Sequence, residues 1–334
     1  MQSNGKKRLL LTADYLLKYS DEENPVSASD IIAMLERNEI ACERKAVYSD
    51  IETLTDFGLD IVKTRLNGGG WFVASRQFEE VEIRLLIDAV QAASFITAAK
   101  SKKLIKKISS LCSEEQMKKL LGRVYIDNRI KSDNETIYYS IDEIGRAIDS
   151  GVRLECDYAK CRTVSKLKNP ICAEKKLVLN PYAMIWSGDH YYLVANNPKY
   201  DNLMHLRIDR MRNVRRLENS PVRPFSEVCE YTDFFDVADY SKRIFNMFSG
   251  ETEDIELHCK IDILEQIIDR FGADIPIRED FDDESRFFVR VKAAVSDGLI
   301  SWMMQFEDKL EVIGPQTLRD EIKAKSERIA AIYS

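Results

Sequence analysis

Residues Asn180 to Met211 read NPYAMIWSGDHYYLVANNPKYDNLMHLRIDRM and combine three strand-like patterns with a crowding of aromatics, His and Arg. Tyr182–Trp186 and His190–Ala195 flank Ser187-Gly188-Asp189, so this stretch predicts a β-hairpin whose glycine supplies a turn geometry that a Cβ disfavours. A third strand is expected from about Met204 to Asp209. Alternation there puts His205 and Arg207 on one face and Leu206 and Ile208 on the other, giving a basic face and a core face.

Around this stretch the chain alternates between basic and acidic segments. Its formal net charge is −7 over 334 residues. Residues 1–76 carry ten basic and twelve acidic side chains, 100–131 ten and three, 151–217 thirteen and six, and 218–334 fourteen and twenty-six. Phosphate attraction is a local property driven by counterion release, so the two basic segments matter more than the total. Each basic segment is either a phosphate-binding surface or a solvated charged face. In 151–217 the interleaving of Arg with Tyr and His favours the first. A length of 334 residues with 45% hydrophobic content accommodates two to four domains at about 100–150 residues each.

Several function classes lack their residues. The seven Cys are scattered with no Cys-x-x-Cys pair, so neither a disulfide framework nor a zinc site is indicated. Only His190, His205 and His258 could act as imidazole bases, and His258, in an alternating strand, reads as structural. Phosphate-loop, nucleophile-elbow and zincin motifs are missing, and Gly68-Gly69-Gly70 lies between two strands rather than before a helix. The chain is therefore expected to be no enzyme, to need no cofactor or metal, and to lie in the cytoplasm, with no signal-peptide core and no run long enough to span a membrane.

N-terminal to the opening stretch, helices are expected over about Lys6–Tyr19, from Ser27 as a capping residue with Asp30 three positions on, and over about Glu43–Phe57 ending at Gly58. Strands at Ile61–Arg65 and Trp71–Val73 around Asn67–Gly70 complete the order of a winged helix-turn-helix. Phe78 to Arg129 reads as helical, with Val81, Leu85, Leu86, Ala89, Val90, Ala93 and Phe95 as its buried stripe. SKKLIKKISSL within it reads as a bundle helix with a solvated lysine face. A helix over Ile141–Ser150 leads into an alternating strand at Val152–Tyr158, a polar loop, and Lys176–Leu179, as in a bent, small β-barrel. Beyond Pro221 and Pro224, strand, helix, strand, helix, strand and a final helix are expected between Ile255 and Tyr333.

Pro181-Tyr182, Tyr191-Tyr192-Leu193 and Leu206-Arg207-Ile208-Asp209-Arg210-Met211 resemble the WYL domain, with Tyr191 in the place of its tryptophan. ERKAVYSDIETLTDFGLDIV from Glu43 resembles the recognition helix of the DeoR/YafY-like regulators that carry WYL domains, and Leu299–Trp302, Val312 and Pro315 resemble the WCX extension that follows them. Glu43 stands where Ser or Asp often caps and Ser49 where Arg is common, and both departures lower phosphate attraction. The fold class implied is multidomain α+β. It comprises a winged helix-turn-helix over 1–76, a helical connector over 77–135, a small Sm-like β-barrel WYL domain over 136–217, a linker over 218–250 and an α+β WCX-like domain over 251–334.

The resemblance implies a bacterial, ligand-responsive regulator that binds a double-stranded DNA operator as a homodimer. Its DNA-facing residues would be Arg44, Lys45, Tyr48 and Ser49 on the third helix, with Lys63 and Arg65 on the wing. An oligonucleotide or nucleotide-like effector would meet Tyr158, Tyr182, His190, Tyr192, His205, Arg207 and Arg210. The tyrosines either stack on bases or fill the barrel, and Arg210 either meets phosphate or pairs with a neighbouring acid such as Asp209. An accessory single-strand-binding protein and a protein–protein adaptor are the competing readings.

Overall fold

A computed structural model describes residues 2–122, 131–163 and 171–334, which form a multidomain α+β protein. Its two compact units are residues 1–133 and 134–334.

In the first unit, α1 (Gln2–Tyr19), α2 (Ala28–Arg37) and α3 (Arg44–Asp56) are followed by the antiparallel hairpin β1 (Ile61–Thr64) and β2 (Gly70–Val73). Ser27 caps α2 in a full capping box with Asp30, whereas Glu43 at the start of α3 makes no side-chain cap. Leu16, Ile31, Leu35, Val47, Ile51 and Leu54 meet in one apolar core with Trp71 and Val73 of β2. The buried carboxylate of Asp50 takes two bonds from Arg8, at 2.6 and 2.9 Å, so α1 and α3 are also joined by a charged pair. Val26 exchanges two backbone hydrogen bonds with Trp71, which brings the chain ahead of α2 against the hairpin. A Cβ on Gly70 would lie 2.3 Å from the Val26 carbonyl oxygen, so only glycine fits that approach.

Where one helical stretch is expected from Phe78, the structure has α4 (Glu80–Ala92), α5 (Ala98–Ile108) and α6 (Glu114–Gly122), and residues 123–130 lie outside the described set. The buried stripe of α4 also differs from the expectation. Ile83 and Ile87 are fully buried with Ile108, Met117 and Leu120, while Val81 and Leu85 point outward at 66% and 63% exposure. Apolar residues surround most of α4, so packing against α5 and α6 decides which of two phases is covered.

The second unit opens with α7 (Ile137–Asp149), four residues earlier than its sequence suggests. It packs on a five-stranded antiparallel sheet of β3 (Val152–Thr163), β4 (Ile171–Ser187), β5 (His190–Asn196), β6 (Leu203–Arg207) and β7 (Met211–Pro221). The spatial order is β6-β5-β4-β3-β7. The polar loop expected ahead of Lys176 is shorter than read, because β3 and β4 pair out to Thr163 and Ile171; residues 164–170 lie outside the described set. β4 pairs with β3 through Leu179 and with β5 from Asn180 onward, with a register shift between Pro181 and Ala183. Proline lacks an N–H to give the ladder, so a strand that changes partners places it well. The buried Asn180 sits at this exchange of partners: its amide donates to Asn196 at 2.9 Å and its oxygen accepts from Arg153 and the Arg223 backbone. Gly188 and Asp189 both have positive φ and close the β4–β5 turn, as a two-residue primed hairpin requires.

The segment 218–250, read from sequence as a linker, is part of the packing. It carries α8 (Val237–Arg243), and its Val228, Ile244 and Met247 share a core with Ala183, Ile185, Val194 and Leu203 of the sheet. The C-terminal part follows with β8 (Thr252–Lys260), α9 (Leu264–Phe271), β9 (Ile277–Glu279), β10 (Arg286–Ala294), α10 (Asp297–Met304), β11 (Leu310–Gly314) and α11 (Gln316–Tyr333). Its sheet runs β11-β8-β10-β9, antiparallel throughout. The edge strand β9 escapes a sequence reading because it is three residues long and exposed on both faces.

Candidate functional site

On the face shared by β5 and β6, Tyr192 is the cross-strand partner of Arg207 and Val194 that of His205. His190, Tyr192, Leu203, His205 and Arg207 thus line one side, and Leu206 turns to the core on the other. After Arg207 the chain makes a tight turn over Ile208–Arg210, and this turn decides the fate of its charges. Arg207 donates through Nε and Nη2 to Asp209, at 3.1 and 2.7 Å, and Asp209 is buried. The ion pair read as an option for Arg210 therefore belongs to Arg207, because the turn folds Asp209 back over the preceding residue. Arg210 itself is exposed. The turn is held from both sides, since the buried Asn134 donates to the backbone oxygens of Asp209 and Met211, and Arg212 donates to that of Asp209.

Tyr158, from β3, completes the group. Its hydroxyl accepts a long bond of 3.4 Å from the Arg207 backbone N–H. Burial raises its pKa, and that backbone bond together with the Arg210 guanidinium opposes the rise. The His190 ring lies 6.2 Å from Tyr192, edge to face, and is held below its ordinary pKa by burial and then by the charge of Arg207. Tyr158, His190, Tyr192 and Arg207, all half-buried, and the exposed Arg210 are thus brought together: two guanidinium groups, two phenols and an imidazole whose pKa is lowered, around one carboxylate. Such a set offers planar donors for phosphate and flat faces for a base.

Tyr182 and His205 do not join it. The Tyr182 hydroxyl donates to the Arg223 carbonyl, its ring packs near Phe225 and Phe235, and burial pushes its pKa up to about 12. His205 shares the face with Arg207, but α8 and the segment after it cover it. Its Nε2 lies 2.9 Å from the Tyr240 hydroxyl and its Nδ1 3.2 Å from Ser249. Burial lowers its pKa to about 4, so it is neutral at pH 7 and contributes no cation to the face. Strand alternation places a side chain on a face without saying what covers that face. Asp209 and Tyr240, the residues that separate the two environments, were not read from sequence as site residues.

The basic excess of 151–217 is also partly neutralised: Glu155 pairs with Lys176 and Arg215, and Glu143 with Arg216.

In the first unit, Arg44, Lys45, Tyr48 and Ser49 are all exposed on the first two turns of α3. The Tyr48 ring meets Trp71 edge to face at 5.0 Å. The Arg44 guanidinium lies 6.0 Å from the Tyr48 ring centre, and the Lys63 ammonium lies 5.5 Å from Tyr48 and 5.7 Å from Trp71. Helix and hairpin therefore converge on an aromatic pair flanked by two cations, with exposed Arg65 beyond the end of β1. Trp71 was read only as a strand residue, although its register opposite Lys63 is the signal that could have found it.

With this geometry in place, comparison with known proteins defines the class. Residues 140–216 match the WYL domain and residues 251–330 the WCX domain, so the chain carries a WYL domain followed by a WCX domain. Over 299 residues, 86% of this chain and 89% of the relative, it is 20% identical to an uncharacterized HTH-type transcriptional regulator, YobV, of Bacillus subtilis (strain 168). Among solved structures it is similar to proteasome accessory factor B/C (PafBC) of Arthrobacter aurescens, with 14% identity, 96% of this chain covered and a TM-score of 0.27, and it spans 46% of that chain. A CRISPR Cas-related protein matches with 13% identity over 99% of this chain and 85% of its own, with a TM-score of 0.36. Among the described residues no helix is long and apolar enough to cross a membrane.

Proposed function

We propose that this protein is a ligand-responsive, DNA-binding transcriptional regulator. On this reading residues 1–76 form a winged helix-turn-helix, 77–135 a helical connector, 136–217 an Sm-like WYL sensor and 251–334 a WCX domain, with 218–250 packed between the last two as a cover. Support for the first assignment comes from α1 to α3 followed by a hairpin, and from the regulator name of the Bacillus subtilis relative. For the Sm-like barrel it comes from a leading helix and a long β4 that passes from β3 to β5 with a register shift at Pro181. The protein works without catalysis, in the cytoplasm, as a homodimer on a two-fold symmetric operator.

The observation that carries the sensing half is the convergence of Tyr158, His190, Tyr192, Arg207 and Arg210 at the turn after β6. A short single strand or nucleotide-like effector takes this position, its phosphate on Arg207 and Arg210 and a base against Tyr192. It biases the relative placement of two recognition helices, a coupling typically worth about 1–3 kcal/mol.

The test is fluorescence anisotropy with duplexes from the gene's own upstream region, with and without short single strands, for wild type, Arg207→Ala and the double variant Arg44→Ala with Lys45→Ala. Wild type selects a symmetric duplex and responds to the single strand. Arg207→Ala keeps the duplex and loses the response, while the double variant loses about tenfold or more in duplex affinity and has a salt dependence shallower by roughly two phosphates. Binding of single strands with no duplex selection would leave the accessory single-strand-binding reading in its place.

A further inference from the structure

Arg270, on α9, is a cation with no acidic partner among the described residues. Its Nη2 donates to the Ile244 carbonyl at 2.6 Å and its guanidinium lies 3.9 Å from the centre of the Phe245 ring. Its Nε is buried and has no partner. Among the described residues no carboxylate forms an ion pair with it. The residue as a whole is half-buried, so its charge is only partly screened by water, and an anion beside it would offset that loss.

Beside it is a cavity of about 330 Å³, within the size range of small-ligand pockets. Arg270, Trp302, Trp186, Ser187, Ser241 and Asn246 line it. The lining thus has one guanidinium, two hydroxyls, an amide, two indoles and no acidic side chain. Its walls come from the end of β4, from α8 and the segment after it, and from the C-terminal helices α9 and α10. Ser187 is the cross-strand partner of His190, so the cavity shares the β4–β5 hairpin with the Arg207 group while using different side chains.

We propose that this cavity is a second ligand site that takes a small phosphate-bearing molecule, with Arg270 as the counter-charge and the indoles of Trp186 and Trp302 as the surface for a flat ring. The guanidinium suits a phosphate because it presents planar, paired donors, and the three neutral polar groups can complete the shell. Occupancy joins the sensor sheet to the C-terminal part through one anion. The proposal stands independently of the regulator reading.

The experiment is isothermal titration calorimetry of the full chain with inorganic phosphate and with adenosine 5′-monophosphate, at ionic strength held constant by sodium chloride. Wild type, Arg270→Met, Asn246→Asp and Arg207→Ala are compared. Both ligands bind wild type, the nucleotide more tightly. Arg270→Met weakens both by about tenfold or more. Asn246→Asp introduces a like charge at a position whose positive φ aspartate tolerates, and it weakens both severalfold, so a folding defect in Arg270→Met does not decide the matter. Arg207→Ala removes whatever ligand the neighbouring group takes and keeps the Arg270-dependent component of the isotherm. Three results would each overturn the proposal: no binding of either ligand by wild type, wild-type binding by both Arg270→Met and Asn246→Asp, or loss in Arg207→Ala alone, which would place the phosphate on the neighbouring group.

Discussion

His205 and Arg207 lie two residues apart on the same face of the same strand, yet they are in different chemical environments. Around Arg207 the sheet is half-open, and a buried aspartate holds the guanidinium charged and oriented. Around His205, α8 and the residues after it close over the face, and the imidazole becomes a neutral hydrogen-bonding member of an aromatic cluster with Tyr240. One strand thus supplies both a half-open, ion-paired cation and a packing group. The difference arises from what lies above the sheet, which is contributed by residues thirty or more positions further along the chain.

The sharpest way to break this comparison is pH. His205 has a folded pKa of about 4 against 6.5 for the free side chain, so between these values the unfolded chain binds the extra proton. Its contribution is complete above about pH 6.5 and is lost as pH falls toward 4, and the interval is worth about 3 kcal/mol. Urea denaturation from pH 7 to pH 4 should therefore show an acid-side loss in wild type that is reduced in His205→Gln. Equal slopes in the two proteins would mean that the cover over His205 is open in solution.

Next in size, Arg207→Ala should weaken binding of a short single strand by about tenfold or more, since a charge-assisted bond to phosphate is typically worth about 1.5–3 kcal/mol. His205→Gln should leave that affinity within about twofold, because an uncharged covered group has no phosphate to lose. If both variants weakened it alike in anisotropy titrations, the two residues would form one site after all.

A smaller effect is expected of Tyr240→Phe, which removes the hydroxyl that faces His205 Nε2 and should cost about 1 kcal/mol in chemical denaturation with oligonucleotide binding unchanged. Smallest is Tyr158→Phe. The long bond its hydroxyl accepts from Arg207 should be worth about 0.5 kcal/mol, visible mainly as a lower affinity for the single strand.

Much of the element order was legible because its signals are local. The Ser27–Asp30 box marks the start of α2, Gly188-Asp189 the turn between β4 and β5, and alternation the phases of β5, β6, β8 and β10. What was not legible depends on partners distant in sequence. Val81 and Leu85 looked as suitable for burial as Ile83 and Ile87 until α5 and α6 chose between them. The three-residue β9 carries no pattern of its own. In the candidate site, alternation put His205 and Arg207 on one face, while their pairing with β5, which adds His190 and Tyr192, came only with the register, and alternation stops at the turn over Ile208–Arg210. The choice of Arg207 over Arg210 as the partner of Asp209 could therefore not be read from spacing.

The approach of Gly70 to Val26 has a consequence for how this protein tolerates change. The foot of the β1–β2 hairpin is stitched by backbone to the residue before the Ser27 cap, so a side chain at position 70 would push two segments apart rather than perturb one. At the hairpin tip, Leu66 is 73% exposed, and the space around Gly68 is open although its positive φ of 90° keeps that one position for glycine. Sequence drift, and any attached reporter dye, has room at the tip and almost none at the foot.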